Sequence, residues 1–164
     1  MRVEGGIEPV EVVLGAIRSL LANNTLLSLS TFDGNSIWTS TVFYSCDKHC
    51  SIYFISDPKT RHCRMISINN KVSGAIYSSM SKWGTDIQGL QFEAKAERVP
   101  IREIIPIGAE YLKRFPISQR FIASPELFNT DKISSRLYRL TPTVFQIYDE
   151  INFHPEPIRR LFLD

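Results

Sequence analysis

With 164 residues, 43% of them hydrophobic and 22% charged, the chain is long enough to bury its own core and reads as one soluble domain over 1–164. A net charge of +2 with no lysine–arginine block argues against a nucleic-acid binder driven by bulk electrostatics. No apolar run nears the ~20 residues that span a bilayer, Met1–Gly6 lacks a signal-peptide core, and three cysteines do not form a secreted disulfide framework, so the expected address is a reducing cytoplasm.

Val10, Val13, Leu14, Ile17, Leu20 and Leu21 recur at helical spacing, which predicts an amphipathic helix over residues 9–23. Thr25–Thr31 reads as a strand closed by the turn Asp33-Gly34-Asn35, and Ser36–Ser45 as a second, rich in β-branched and aromatic residues. Cys46–Cys50 reads as the tip leading into a third strand, Ser51–Ser56. A helix over 58–68 follows, then the strand Val72–Ser78, a loop around Met80 to Asp86 with Trp83, and a long strand Ile87–Val99. Residues 101–115 and 117–123 carry helical patterns, although Pro106 removes a backbone donor and weakens the case for one unbroken helix. Ser124–Ser135 is loop-like. Arg136–Tyr148 is the last strand, with Pro142 at an edge or bulge, and the tail to Asp164 reads as irregular. The sum is an α+β protein: a six-stranded antiparallel barrel with an N-terminal helix, one crossover helix and a helical insertion at about 101–124 before the last strand.

The strand Tyr53-Phe54-Ile55-Ser56 stops at Asp57-Pro58, a pair suited to a helix start: Asp57 as cap, Pro58 in the first turn. Thr60, Lys59, Arg61 and His62 then crowd that turn. Unpaired backbone N–H groups, the positive end of a helix dipole and basic side chains together suit an anion, phosphate above all. The plainer alternative for Arg61 is a surface arginine paired with an acid; for His62, a side chain covering the barrel; for Thr60, a hydroxyl satisfying backbone. Cys46, His49, Cys50, His62 and Cys63 are zinc-type ligands, but their spacing is no zinc signature, and no metal is expected. A Cys46–Cys50 disulfide is conceivable and undetermined by sequence.

In order and spacing the chain resembles the pyridoxamine 5′-phosphate oxidase-like proteins, the FMN-binding split β-barrel superfamily, and within it a small bacterial branch with no assigned reaction. The resemblance runs over about residues 10–99 and returns in the last strand. It is carried by Leu27-Ser28-Leu29-Ser30-Thr31 before an Asp-Gly turn, Ser40-Thr41-Val42-Phe43-Tyr44, and Tyr53-Phe54-Ile55-Ser56 running into Thr60-Arg61-His62. Asn69–Ser73, Trp83, Gly89-Leu90-Gln91-Phe92 and Ala96-Glu97-Arg98-Val99 follow in the same order.

The resemblance implies a homodimer with FMN in each of two grooves between the barrels. Ser40, Thr41, Val42 and Phe43 would line the isoalloxazine, Ile55 and Ser56 would add ring contacts, and Thr60, Arg61 and His62 would grip the phosphate. A glutamine early in the fifth strand, Gln88 or Gln91, would reach the ring, from the partner subunit in some relatives. Many relatives carry lysine where His62 stands, and Asp57 as a helix cap would compete with the phosphate for the same N–H groups. The implied activity is an FMN-dependent oxidoreductase acting on a small organic molecule. Its alternatives are a non-catalytic dimer that carries or senses flavin, deazaflavin or haem, and a cofactor-free structural dimer. The tail Ile158–Phe162 lacks the tryptophan of true pyridoxamine phosphate oxidases, which argues against that particular reaction.

Overall fold

The computed structural model describes residues 1–78, 82–120 and 122–163. Helix α1 (Val10–Asn23) sets Val13, Leu14, Ile17, Leu20 and Leu21 into the core, as the periodicity predicts. Its C-terminal carbonyls are satisfied from outside: Asn24 Nδ2 donates to Leu20 O at 2.9 Å, and Arg114 Nη2 donates to the carbonyls of Leu21, Ala22 and Asn24 at 2.6–3.2 Å.

Strand β1 (Arg2–Glu4) precedes α1, and β2 (Leu26–Phe32) and β3 (Ile37–Cys46) form the first hairpin. Asp33 closes the hairpin turn by accepting the N–H groups of Asn35 and Ser36, while Gly34 takes φ +99°, a region glycine enters without strain. Asp47 performs the same service between β3 and β4 (Ile52–Ser56), accepting the N–H groups of His49 and Ser51 and the Tyr53 hydroxyl. Helix α2 (Arg61–Ile68) covers one end of the barrel, followed by β5 (Lys71–Tyr77), β6 (Gln88–Arg98), α3 (Ile104–Arg114), β7 (Arg136–Asp149) and β8 (Ile158–Phe162).

The strand order is β1-β8-β7-β4-β3-β2-β5-β6, and β6 pairs back onto β7, so six antiparallel strands close into a barrel. Closure removes the sheet edges that would otherwise be exposed. The long β7 makes this possible: its first half pairs with β4, its second half with β8, and its other side with β6 throughout. The interior is packed with Ile17, Leu21, Leu27, Leu29, Tyr44, Phe54, Ile76, Leu90 and Phe145, all 1% exposed or less. Truncating any one of these large side chains to alanine is expected to cost about 2–5 kcal/mol.

The six expected barrel strands are present, and two more lie outside the ring. The tail expected to be irregular holds β8, which pairs with β7 and carries β1 from the far end of the chain. Pro142 does mark a bulge, since the β6–β7 register shifts between Glu93 and Ala94. Pro106 is tolerated as the third residue of α3, where an N–H would have no partner within the helix. The segment from 101 to 129 is broken into α3 and three short 3-10 turns, around a second small core of Tyr53, Val99, Ile104, Tyr111, Leu112, Phe128 and Leu137. Of the expected loop from Met80 to Asp86, residues 80 and 81 lie outside the described residues, as do residue 121 of the helical pattern at 117–123 and the terminal Asp164. Among the described residues no helix is long and apolar enough to cross a membrane.

Candidate functional site

The segment after β4 departs from its expected form. Asp57 does not cap α2. Its Oδ1 accepts the Lys59 N–H at 2.8 Å, and its carbonyl accepts both the N–H of Thr60 at 2.9 Å and the Thr60 hydroxyl at 2.8 Å. The helix therefore starts three residues later than expected, at Arg61, with Thr60 in the N-cap position and no side chain capping the first turn. An aspartate before proline is equally suited to folding back on its own backbone, and here that local turn wins. The consequence is favourable for an anion: the carboxylate is held on Lys59 and does not occupy the N–H groups at the start of α2.

His62 points into the barrel end and is 9% exposed. Its Nδ1 lies 3.1 Å from the Ser40 hydroxyl, and its Nε2 lies 2.8 Å from that of Ser56 and 3.3 Å from that of Thr60. Burial pushes the imidazole below its ordinary pKa, so the ring is neutral at neutral pH and pairs one N–H donor and one acceptor with the hydroxyls around it. Arg61, next in the helix, turns outward and lies over Trp38 of β3, its guanidinium carbon 4.3 Å from the indole centroid. Asp33, at the nearby turn, has its carboxyl held below the usual range, first by the N–H groups of Ser36 and Asn35 and in smaller part by the Arg61 charge.

The strand register sorts the remaining residues. Leu27, Leu29 and Thr31 of β2 face the core and pair with Val42, Ser40 and Trp38, so the run Ser40–Phe43 is split: Ser40 and Val42 face inward, Thr41 and Phe43 outward. Phe43 stacks edge-on against Phe115 of the insertion, with ring centroids 5.6 Å apart. Ile55 packs on the second core and Ser56 on His62. The two glutamines part company. Gln88 Nε2 donates to the buried Asp149 at 2.9 Å, whereas Gln91 stands on the outward face. One row crosses that face: Thr41, Ser28, Ala75, Gln91, Gln146 and Arg160 are opposite one another in successive strands. At about 4.8 Å per strand, Thr41 and Gln91 are some 14 Å apart along the sheet.

The structure thus joins Ser40, Ser56, Thr60 and His62 by direct contacts and sets Arg61 beside them. Gln88 is far from this cluster, and Thr41 and Gln91 share a row but do not meet. Sequence reasoning passed over Trp38, Gln146 and Arg160. Trp38 had a signal, standing two residues from Ser40 and so on the same side of β3. Gln146 and Arg160 had none, since their relation to Gln91 exists only once β6, β7 and β8 pair. Around the row lies a hollow of about 630 Å³ lined by Ser28, Ala75, Gln91, Gln146 and Arg160 among others. The same face exposes Leu26, Phe32, Ile37, Phe43 and Tyr77. Among the described residues no three histidine, cysteine or acidic side chains converge as a metal site, and Cys46, Cys50 and Cys63 are free thiols.

A closed antiparallel barrel with one crossover helix over its end and an outward face of small polar residues is a split β-barrel fold. The comparisons agree on that fold. A haem-binding protein from Mycobacterium smegmatis superposes with a TM-score of 0.73 at 15% identity, over 96% of this chain and 60% of that one. A FAD-binding protein from Mesorhizobium loti gives 0.61 at 12% identity over 98% of both chains, and a pyridoxamine 5′-phosphate oxidase-like protein from Listeria innocua gives 0.64 at 15% over 86% and 99%. In sequence, the UPF0306 protein plu4501 of Photorhabdus laumondii is 29% identical over 103 residues, 62% of this chain and 71% of its own length. The UPF0306 protein YhbP of Salmonella paratyphi C is 28% identical over 107 residues, 65% and 72% of the two chains. No protein-family model matches the chain.

Proposed function

We propose that two copies of this chain pack through the outward face and hold FMN at the seam, as a flavin-dependent oxidoreductase acting on a small organic substrate. The observation that carries the reading is the uncapped first turn of α2 beside the outward cation Arg61, which is braced on Trp38 at the edge of β3. A phosphate monoester is close to a dianion at neutral pH. The planar guanidinium of Arg61 and the first-turn N–H groups suit it in charge and in donors. His62 contributes no charge; it anchors Ser40, Ser56 and Thr60, and so fixes the strand end and the helix start against each other.

The row on the outward face supports the dimer. Its four central members, Thr41, Ser28, Ala75 and Gln91, have small side chains in the middle. A twofold axis passing between Ser28 and Ala75 sets Gln91 of one copy over Thr41 of the other, bringing together two groups that one chain holds apart. The exposed apolar residues at the margins of this face would be buried in the same step. FMN, once bound, would supply the hydride or electron transfer, while the chain binds the phosphate, flanks the ring with Thr41 and Phe43, and excludes water.

Haem is the weaker candidate on this geometry. His62 has both ring nitrogens engaged, His49 lies at the β3–β4 tip, at the opposite end of β4 from Ser56, and His154 lies in the connection between β7 and β8. The test is the visible spectrum of the purified protein before and after FMN addition and gel filtration. A flavin spectrum travelling with a dimer supports the reading, and rapid bleaching by a nicotinamide donor with reoxidation by substrate distinguishes an enzyme from a carrier. A haem band, or no retained chromophore, overturns it.

A further inference from the structure

We propose that Arg160, acting through Gln146, is a positioning residue that turns the amide of Gln91 so that its N–H₂ group, not its carbonyl, faces out of the sheet toward a hydrogen-bond acceptor. Resting on the flavin-binding dimer above, this assigns Gln91 to the carbonyl-bearing pyrimidine edge of a flavin held by the second copy.

The argument is one of donors and acceptors. An arginine side chain only donates. Arg160 Nε lies 2.8 Å from Gln146 Oε1, which settles which end of that amide is the oxygen and directs its N–H₂ toward β6. Gln146 Nε2 in turn lies 3.5 Å from Gln91 Oε1. The Gln91 carbonyl is thereby turned to its neighbour, and its N–H₂ lies over Gly89, where an added Cβ would sit 3.5 Å from Gln91 Nε2. The three residues occupy consecutive strands in register, Gln91 opposite Gln146 and Gln146 opposite Arg160.

The charges nearby leave the chain of bonds intact. Glu4, opposite Arg160 on β1, is taken by Arg2 at 2.6 Å, and among the described residues Arg160 has no carboxylate partner. A positive charge at one end of two polarised amides strengthens the donor at the other. A ligand with carbonyl acceptors on its edge is favoured, and one presenting donors there is refused, because it would leave two N–H groups facing each other.

The experiment measures FMN affinity and dimerisation for the wild type, Gln91→Leu, Arg160→Met, their double variant, and Gln146→Glu. The last is the sharpest. A carboxylate at 146 keeps a partner for Arg160, and its second oxygen accepts from Gln91, so the Gln91 amide reverses while the fold gains an ion pair. The expected result is a dimer of undiminished thermal stability with FMN affinity reduced about tenfold, the size of one hydrogen bond. Arg160→Met and Gln91→Leu should each weaken FMN, and the double variant should be no weaker than Gln91→Leu alone. Wild-type binding of FMN together with additive losses, or with Gln146→Glu unchanged, overturns the positioning role and leaves the flavin reading standing. Failure of the wild type to bind FMN overturns both.

Discussion

Arg61 and Trp38 are brought face to face from two different elements, the start of α2 and the start of β3, with the guanidinium carbon 4.3 Å from the indole centroid. Stacking on an indole holds a long, flexible cation in one orientation and removes part of its water, which raises its value to an incoming anion. Arg61→Ala should therefore weaken FMN by about 1.5–3 kcal/mol, the range of a charge-assisted hydrogen bond. Trp38→Ala should weaken it less, since the charge remains. Isothermal titration of both variants is the check, and an Arg61→Ala affinity equal to wild type would remove the phosphate site.

His62 predicts a pH dependence whose sign is fixed. Burial lowers its folded-state pKa below the unfolded value of about 6.5, so below that value the unfolded chain binds the additional proton. The stability owed to the neutral ring is fully present above pH 6.5 and is lost as pH falls through the folded pKa. Denaturant midpoints taken between pH 5 and pH 8 should rise with pH. His62→Gln should flatten that slope, whereas His62→Ala should in addition cost about 1–3 kcal/mol by stranding the Ser40 hydroxyl and leaving that of Ser56 with Thr60 alone. A wild-type slope of the opposite sign would show that the ring is not buried neutral.

Helix α1 and the six barrel strands were legible because their cues are local: apolar spacing of 3.6 in Val13–Leu21, β-branched runs in β2 to β4, and the turn chemistry of Asp33-Gly34. Strands β1 and β8 were not. Arg2–Glu4 is three residues long and is a strand only because Ile158–Phe162 lies beside it, more than 150 residues away in the chain. The start of α2 was misjudged for another reason. Asp57 before Pro58 satisfies two local rules, a helix cap and an Asx turn, and only the placement of Thr60 and His62 under Ser56 selects between them. The cluster itself was half legible: its members were named from the sequence, but the inward aim of His62 and the outward aim of Arg61, adjacent in the chain, come from where α2 lands on the barrel.

Ala75 tests the proposed dimer. It stands in the central row between Ser28 and Gln91, on the outward face where a longer side chain meets no part of its own subunit's core. Ala75→Glu should leave the circular dichroism spectrum unchanged and shift the protein to monomer in light scattering, because an isologous interface places the two new carboxylates against each other. FMN affinity should fall with it. A dimer that survives Ala75→Glu intact would move the interface to another face.

An ion pair ties the chain just after the N-terminal strand to β8. Arg159 of β8 is almost fully buried over the Phe153 ring, and it grips Glu8 with two parallel bonds, Nε to Oε2 at 2.5 Å and Nη2 to Oε1 at 2.6 Å. Hydrogen bonding to Arg159 is the largest cause holding the Glu8 carboxyl at about 2, well below the unfolded value of 4.5. Because the folded pKa is depressed, the contribution of the pair is complete above pH 4.5 and is lost as pH falls toward 2. Arg159→Met should lower the melting temperature at pH 7 and release the amides of Arg2–Glu4 to fast hydrogen exchange, with the difference from wild type shrinking toward pH 2, where only the bonds of Arg159 to the carbonyls of Glu156 and Ile158 remain to be lost. Gly6→Ala should do the same without touching the charges, since a Cβ at that position runs into the Arg159 guanidinium and the Glu8 carboxylate. If Gly6→Ala exchanges as slowly as wild type at Arg2–Glu4, the pair does not anchor β1.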